Sequence, residues 1–204
     1  MTITIHADDI TINCGDAPSA SAPTVLRREA LSKLTCATVL PEEINSFAWL
    51  DRQMVCAKAI VPAGKSITHL GVPVSSEARG NATTGESRLA VYSVTGGLIA
   101  ETGNDNKLFT GTGWRFSPLA TPLTAEPEDR VIWLTALVPT YDVRQPALAV
   151  TSTVFAFPNL YNVNGTRTFT HPDLTQLPTD VGGDYPPLNM VVCVVGADLS
   201  TDQQ

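Results

Sequence analysis

Arg130-Val131-Ile132-Trp133-Leu134-Thr135-Ala136-Leu137-Val138-Pro139 is the stretch whose reading decides the fold. It is rich in β-branched, aromatic and aliphatic residues and stops at a proline, the composition of a strand rather than a helix. A strand sends alternate side chains to opposite faces. Val131, Trp133, Thr135 and Leu137 therefore share one face, and Ile132, Leu134, Ala136 and Val138 share the other. Both sets are largely apolar, so this strand is expected at the centre of a sheet covered on two sides, or close to an interface. Glu126-Pro127-Glu128-Asp129 just before it reads as a solvated turn.

Working outward, similar runs recur at short intervals. Gln53 to Val61 is a strand ended by Pro62-Ala63-Gly64-Lys65, and Ser66 to Val74 follows with apolar residues in alternation. Ser75 to Glu86 is polar and reads as a surface loop. Ser87 to Val94 and Leu98 to Glu101 flank Thr95-Gly96-Gly97, a hairpin signal. Gly113 to Phe116, Leu119 to Thr124 and Pro146 to Phe157 are further strands, and Leu188 to Gly196 is a buried closing strand. Residues 158–187 form a long Pro/Asn/Gly-rich stretch between the last two, and connections of that length tend to be functional or ordered by neighbours. About eight strands with frequent turns predict an all-β antiparallel sandwich over residues 46–204.

Residues 1–45 read differently. Thr2 to His6 alternates as a strand, Thr11 to Asn13 is its return after an Asp8-Asp9 turn, and residues 15–23 have linker composition. Val25 to Leu34 is expected as a short helix capped by Thr24, with Leu26, Ala30, Leu31 and Leu34 on one face. Pro41-Glu42-Glu43 could open a second. Such pieces cannot bury their apolar faces alone. The segment is therefore expected to be an arm that docks on neighbouring subunits.

Composition narrows the task. Of 204 residues, 43% are hydrophobic and 16% charged, against roughly 25% charged in an ordinary soluble domain, and 25 are Thr. The net charge of −7 argues against a nucleic-acid partner, because phosphate neutralisation needs a basic face. The N-terminus lacks the basic and apolar regions of a secretory signal, and no apolar run approaches the roughly twenty residues of a membrane span, so no membrane insertion is expected. Cys14, Cys36, Cys56 and Cys193 have no metal-ligand spacing, and Cys36, Cys56 and Cys193, set among apolar or β-prone neighbours, read as free buried thiols. His6, His69 and His171 fall in no nucleophile pattern, and the acidic clusters lack calcium-loop spacing. Phosphate-binding glycine motifs are missing. No catalytic, metal or cofactor site is expected, and the chain reads as a non-enzyme.

The aromatic residues are the remaining candidates. Trp133 reads as core. Trp114, Tyr141, Phe155, Phe157 and Tyr161 sit at or near loops and form the expected interaction surface. Three readings stay open for them: packing under the domain's own loops, a subunit contact, or a sugar-stacking platform.

One ordered set of segments goes beyond composition. It runs from Met54 through Pro62-Ala63-Gly64-Lys65-Ser66-Ile67-Thr68 to Val72, then Arg88 to Ala100 around Gly96-Gly97, then Leu119 to Thr124. Val131 to Val138, Leu177-Pro178-Thr179 and the closing apolar strand complete it. This order resembles the β-sandwich modules of tailed-bacteriophage virion proteins, particularly minor tail and fibre proteins of phages that infect actinobacteria, over about residues 50 to 197. The resemblance implies a jelly-roll-like sandwich and a structural, non-catalytic place in the virion, made in the host cytoplasm. Its partners would be other phage structural proteins, with a homotrimer or other closed ring as the first expectation. A capsid decoration protein of the same fold is one alternative, and a carbohydrate-binding module for a host glycan is another.

Overall fold

The computed structural model describes residues 2–5, 9–13, 24–27, 34–39, 44–152, 168–181 and 190–199. Every regular element among them is a strand. Strands β1 (Thr2–Ile5), β2 (Asp9–Asn13) and β3 (Thr24–Arg27) come first, followed by β4 (Leu34–Ala37), β5 (Ser46–Trp49), β6 (Gln53–Val61) and β7 (Ile67–Ser76). Then come β8 (Ala82–Thr84), β9 (Arg88–Ser93), β10 (Leu98–Glu101), β11 (Gly113–Leu123), β12 (Arg130–Val138) and β13 (Thr140–Tyr141). The last are β14 (Ala147–Ser152), β15 (Thr168–Pro172), β16 (Met190–Val192) and β17 (Val195–Ala197).

The opening stretch is β12, and it takes the central place its pattern implies. It lies third in a five-stranded antiparallel sheet ordered β10-β9-β12-β6-β15. Ile132, Leu134, Ala136 and Val138 face the main core, shared with Val55 and Val61 of β6, Leu89 and Val91 of β9, and Leu70, Val72, Leu148 and Val194 of the opposing sheet. Trp133 and Leu137 face a second cluster with Met54, Cys56, Tyr92 and Val181, against which Leu98, Leu174 and Leu177 pack. This outer face is roofed by the segment after β15. The Tyr92 hydroxyl donates to the Pro178 carbonyl (2.8 Å), Leu98 N–H donates to Thr179 (3.0 Å), and Val181 N–H donates to Gly96 (2.9 Å). The roof is part of the long Pro-rich connection, so a stretch without secondary structure supplies the second apolar layer. Lys58 is fully buried on the same face, with its Nζ 4.8 Å from the centre of the Trp133 ring. Desolvation lowers its pKa, while the ring's negative face favours the charged form.

The second sheet has seven strands and is curled. β7 carries β11 along one side, and on its other side it pairs first with β17 at His69 to Gly71 and then with β14 at Val74 and Ser76. β14 and β16 pair with each other where they leave β7, through Val150 to Ser152 and Met190 to Val192. The closing run is therefore two short strands interrupted at Cys193-Val194, not one. Thr38 repairs the interruption: its hydroxyl donates to the Val192 carbonyl (2.7 Å) and accepts from Val194 N–H (2.9 Å). That supplies partners for buried main-chain groups that the ladder drops.

Several expectations need correction. The helix expected over Val25 to Leu34 is not formed: Val25 to Arg27 lies in β3, and Leu34 opens β4, which pairs with β17 in the seven-stranded sheet. Sheet pairing to distant residues overrides the short helical periodicity, as tertiary context commonly does. Positions 28–33 and the Pro41 helix start lie outside the described residues. The strands are also more numerous than eight, because the chain bends and re-pairs. Gly113 to Phe116 and Leu119 to Thr124, by contrast, are parts of one strand, β11, which passes through Pro118 on the sheet's edge. The polar loop over Ser75 to Glu86 contains the short strand β8, paired with β13. The architecture is sandwich-like and all-β, with antiparallel sheets throughout.

A candidate interaction surface

Two features of the described chain stand out, one an exposed apolar strand and the other an amphipathic register. The first is β5, Ser46-Phe47-Ala48-Trp49, which among the described residues pairs with β14 alone. Ala48 turns into the main core. Phe47 and Trp49, two residues apart, take the other face and stay 46% and 52% exposed. Their rings meet edge to face, 6.1 Å between centroids at 90°, a favourable aromatic geometry but not a flat platform.

The charges that follow β5 are tied down. Asp51 accepts a hydrogen bond from the Thr140 hydroxyl (2.8 Å), and Arg52 forms an ion pair and hydrogen bonds with Asp173. Arg52 and Asp173 both have positive φ, 43° and 61°, and Asp173 N–H donates to the Arg52 carbonyl. The turn leaving β5 is thus clamped to the end of β15.

Trp114 and Phe116 of β11 lie on the same face of the seven-stranded sheet as Phe47 and Trp49, by register through Gly71, Val195 and Ala149. They are half-buried and stacked, 6.0 Å apart at 20°. Phe116 lies directly over Gly71, where an added Cβ would stand 2.5 Å from its ring. Glycine at 71 is what lets this ring close onto the sheet. Both aromatics pack on a third cluster that contains Val39, Ile44, Ala149, Val191, Cys193 and Val195.

The second feature is the N-terminal sheet, ordered β1-β2-β3, which shares no ladder with the other sheets although β3 lies beside β11. Its register pairs Ile3 with Ile12, Ile5 with Ile10, and Ile10 with Leu26. Those five aliphatic residues share one face with Thr24. Thr2, Thr4, Asp9, Thr11, Asn13, Val25 and Arg27 share the other. The meander is therefore amphipathic, although each strand is only four or five residues long.

Of the aromatic residues singled out from sequence, Trp114 and Tyr141 lie among the described residues. Tyr141 is 4% exposed, its hydroxyl 3.5 Å from that of Ser87, so it packs inside. Trp114 is in the half-buried stack. Phe155, Phe157 and Tyr161 lie outside the described residues. Phe47 and Trp49 were missed, and a signal for them existed: large-small-large alternation bounded by Ser46 and Asp51.

Cys36, Cys56 and Cys193 are free and buried, as expected. Burial raises the Cys36 and Cys56 thiols from 9.0 to about 12 and also pushes Cys193 up. None therefore supplies a thiolate nucleophile near neutral pH. Ser66 donates to the Asp198 carboxylate (2.5 Å), with no imidazole between them, and His69 Nδ1 is engaged by the Thr68 hydroxyl (2.9 Å). Among the described residues no group of three or more His, Cys, Asp or Glu side chains could hold a metal ion. What the outward face of β5 can do is make apolar and main-chain contacts with another polypeptide. No protein-family model matches the chain, and no curated protein does.

Proposed function

We propose that this protein is a structural subunit of a tailed-bacteriophage virion, of the minor tail or fibre type, with a jelly-roll-like sandwich that joins its neighbours through an N-terminal arm. The observation that carries the reading is the amphipathic meander of β1 to β3, which has its own sheet and one face of aliphatic residues. A sheet of three such short strands gains little stability unless that face is covered. An arm of this kind suits a subunit that is held by others.

A second support is positional. The segments that carry the likeness to phage modules fall on β6, β7, the β9–β10 hairpin, β11 and β12, on the roof at Leu177-Pro178-Thr179, and on the closing strands. β4 and β17, from opposite ends of the chain, also pair side by side, a long-range pairing in keeping with a jelly-roll-like course. In a head decoration protein of the same fold the arm would dock on the capsid instead. In a sugar-binding module a flat, exposed ring would be needed, and the perpendicular Phe47–Trp49 pair is a poor match.

The double substitution Ile10→Asp and Ile12→Asp places two charges on the central strand of the aliphatic face. Incorporation into particles should fall by an order of magnitude or more while the melting of the sandwich stays as in the wild type. Incorporation at the wild-type level would defeat the arm reading.

A further inference from the structure

We infer that β3 adds to the open edge of β11 within one chain, which stores the N-terminal meander as an extension of the seven-stranded sheet. β3 and β11 share no ladder, yet their Cα atoms approach within 8 Å. Strands in sheets stacked face to face stand about 10 Å apart, and paired neighbours about 4.8 Å. The separation therefore sets β3 beside β11, edge towards edge, and not over its face.

Both edges are open. An antiparallel strand bonds through alternate residues, so one set of main-chain groups in β11 faces β7 and the other points away. The second half of β11 is closed, by the bridge from Leu119 to Thr102 and by Pro118 and Pro122. Gly113 to Ser117 has no proline, and among the described residues its main chain bonds to β7 alone. β3, Thr24-Val25-Leu26-Arg27, pairs there with β2 alone and also has no proline. An open edge is a template for a further strand, and here that strand stands next to it in the same chain. The tether permits the pairing. β4 lies three ladder steps from β11, through β17 and β7, or about 14 Å. The six residues 28–33 between β3 and β4 span at most about 23 Å. Closure joins the three strands and the seven into one sheet and removes two open edges. It needs no second molecule, so the net charge of −7 does not oppose it. One consequence rests on the virion reading: the arm must leave β11 before it docks on a neighbour.

The test is residue-resolved hydrogen exchange of the full-length chain by nuclear magnetic resonance, with cross-strand proton contacts. In the wild type, the Gly113 to Ser117 amides that point away from β7 should exchange about 100-fold more slowly than those of an open edge, at every concentration. Main-chain protons of β3 and β11 should show nuclear Overhauser contacts. Leu26→Pro, which a ladder strand cannot accommodate, should speed those amides about 100-fold and leave the β7-facing set unchanged. The wild-type spectra need no variant, so they decide the matter even if Leu26→Pro fails to fold. Open-edge exchange rates in the wild type would overturn the inference. So would protection that appears only at high concentration, the mark of a second copy, or protection that Leu26→Pro leaves intact, the mark of another segment. These readouts are separate from incorporation into particles: open β11 amides would sink the storage and leave the arm reading standing, and unchanged incorporation of the Ile10→Asp, Ile12→Asp chain would do the reverse.

Discussion

Between pH 9 and 12 the folded chain should lose stability steeply and unfold cooperatively. The cause is the set of buried thiols. Cys36 and Cys56 are held at about 12 against an ordinary 9.0, chiefly by desolvation, and Cys193 is pushed up in the same sense. In the unfolded chain these groups release protons above pH 9; in the folded chain they keep them. The folded state then binds more protons, so stability falls as pH rises. Each thiol contributes a slope of about 1.4 kcal/mol per pH unit in that window. Cys36 and Cys56 together would remove about 8 kcal/mol by pH 12, comparable with the roughly 5–15 kcal/mol that holds a domain folded.

Burial raises Tyr92 and Tyr141 too, which adds to the loss above pH 10. Lys58 acts in the opposite sense. Its folded pKa is lowered below 10.5, so its contribution to stability rises with pH up to that value, but it is one group against five. Denaturant unfolding followed by circular dichroism at several alkaline pH values measures the slope. Cys56→Ala should flatten it by the share of one thiol, whatever that variant costs at neutral pH. A stability that stays level to about pH 11 would contradict the buried-thiol account.

The second large effect concerns β12. Leu134→Ala and Leu137→Ala should each cost about 2–5 kcal/mol, the usual range for emptying a fully buried leucine site. Both residues are completely buried, but on opposite faces: Leu134 in the core between the sheets, Leu137 under the roof formed by Leu174, Leu177 and Val181. A sheet with one solvated face would show a large loss for Leu134→Ala and almost none for Leu137→Ala. Equal losses in urea titrations would establish that the segment after β15 is a layer of the core.

That contrast shows what was legible in the sequence and what was not. The two apolar faces of Val131 to Val138 were plain from alternation, and so was the Gly96-Gly97 hairpin. The identity of the roof was not, because Leu174, Leu177 and Val181 are spaced among prolines and polar residues with no period. Leu26 and Leu34 fitted a helical face, yet each sits in a strand whose partner is remote or, for β3, lies on the far side of a linker. The interruption at Cys193-Val194 depends on Thr38, over 150 residues away, and no local pattern announces it. The exposed rings of Phe47 and Trp49 were overlooked in the sequence. Loop aromatics draw attention more readily than a four-residue strand, yet alternation exposes the strand's rings, while Tyr141 turns inward.

The central claim, a structural place in a phage particle, is tested most directly by immunogold electron microscopy. If the chain is a virion protein as proposed, purified phage particles from a lysate that contains it would be labelled with antibodies against the sandwich. The account predicts gold at a fixed position on the tail or its fibres, in several copies per particle. Particles that carry no label, with the chain found only in the lysate, would contradict it.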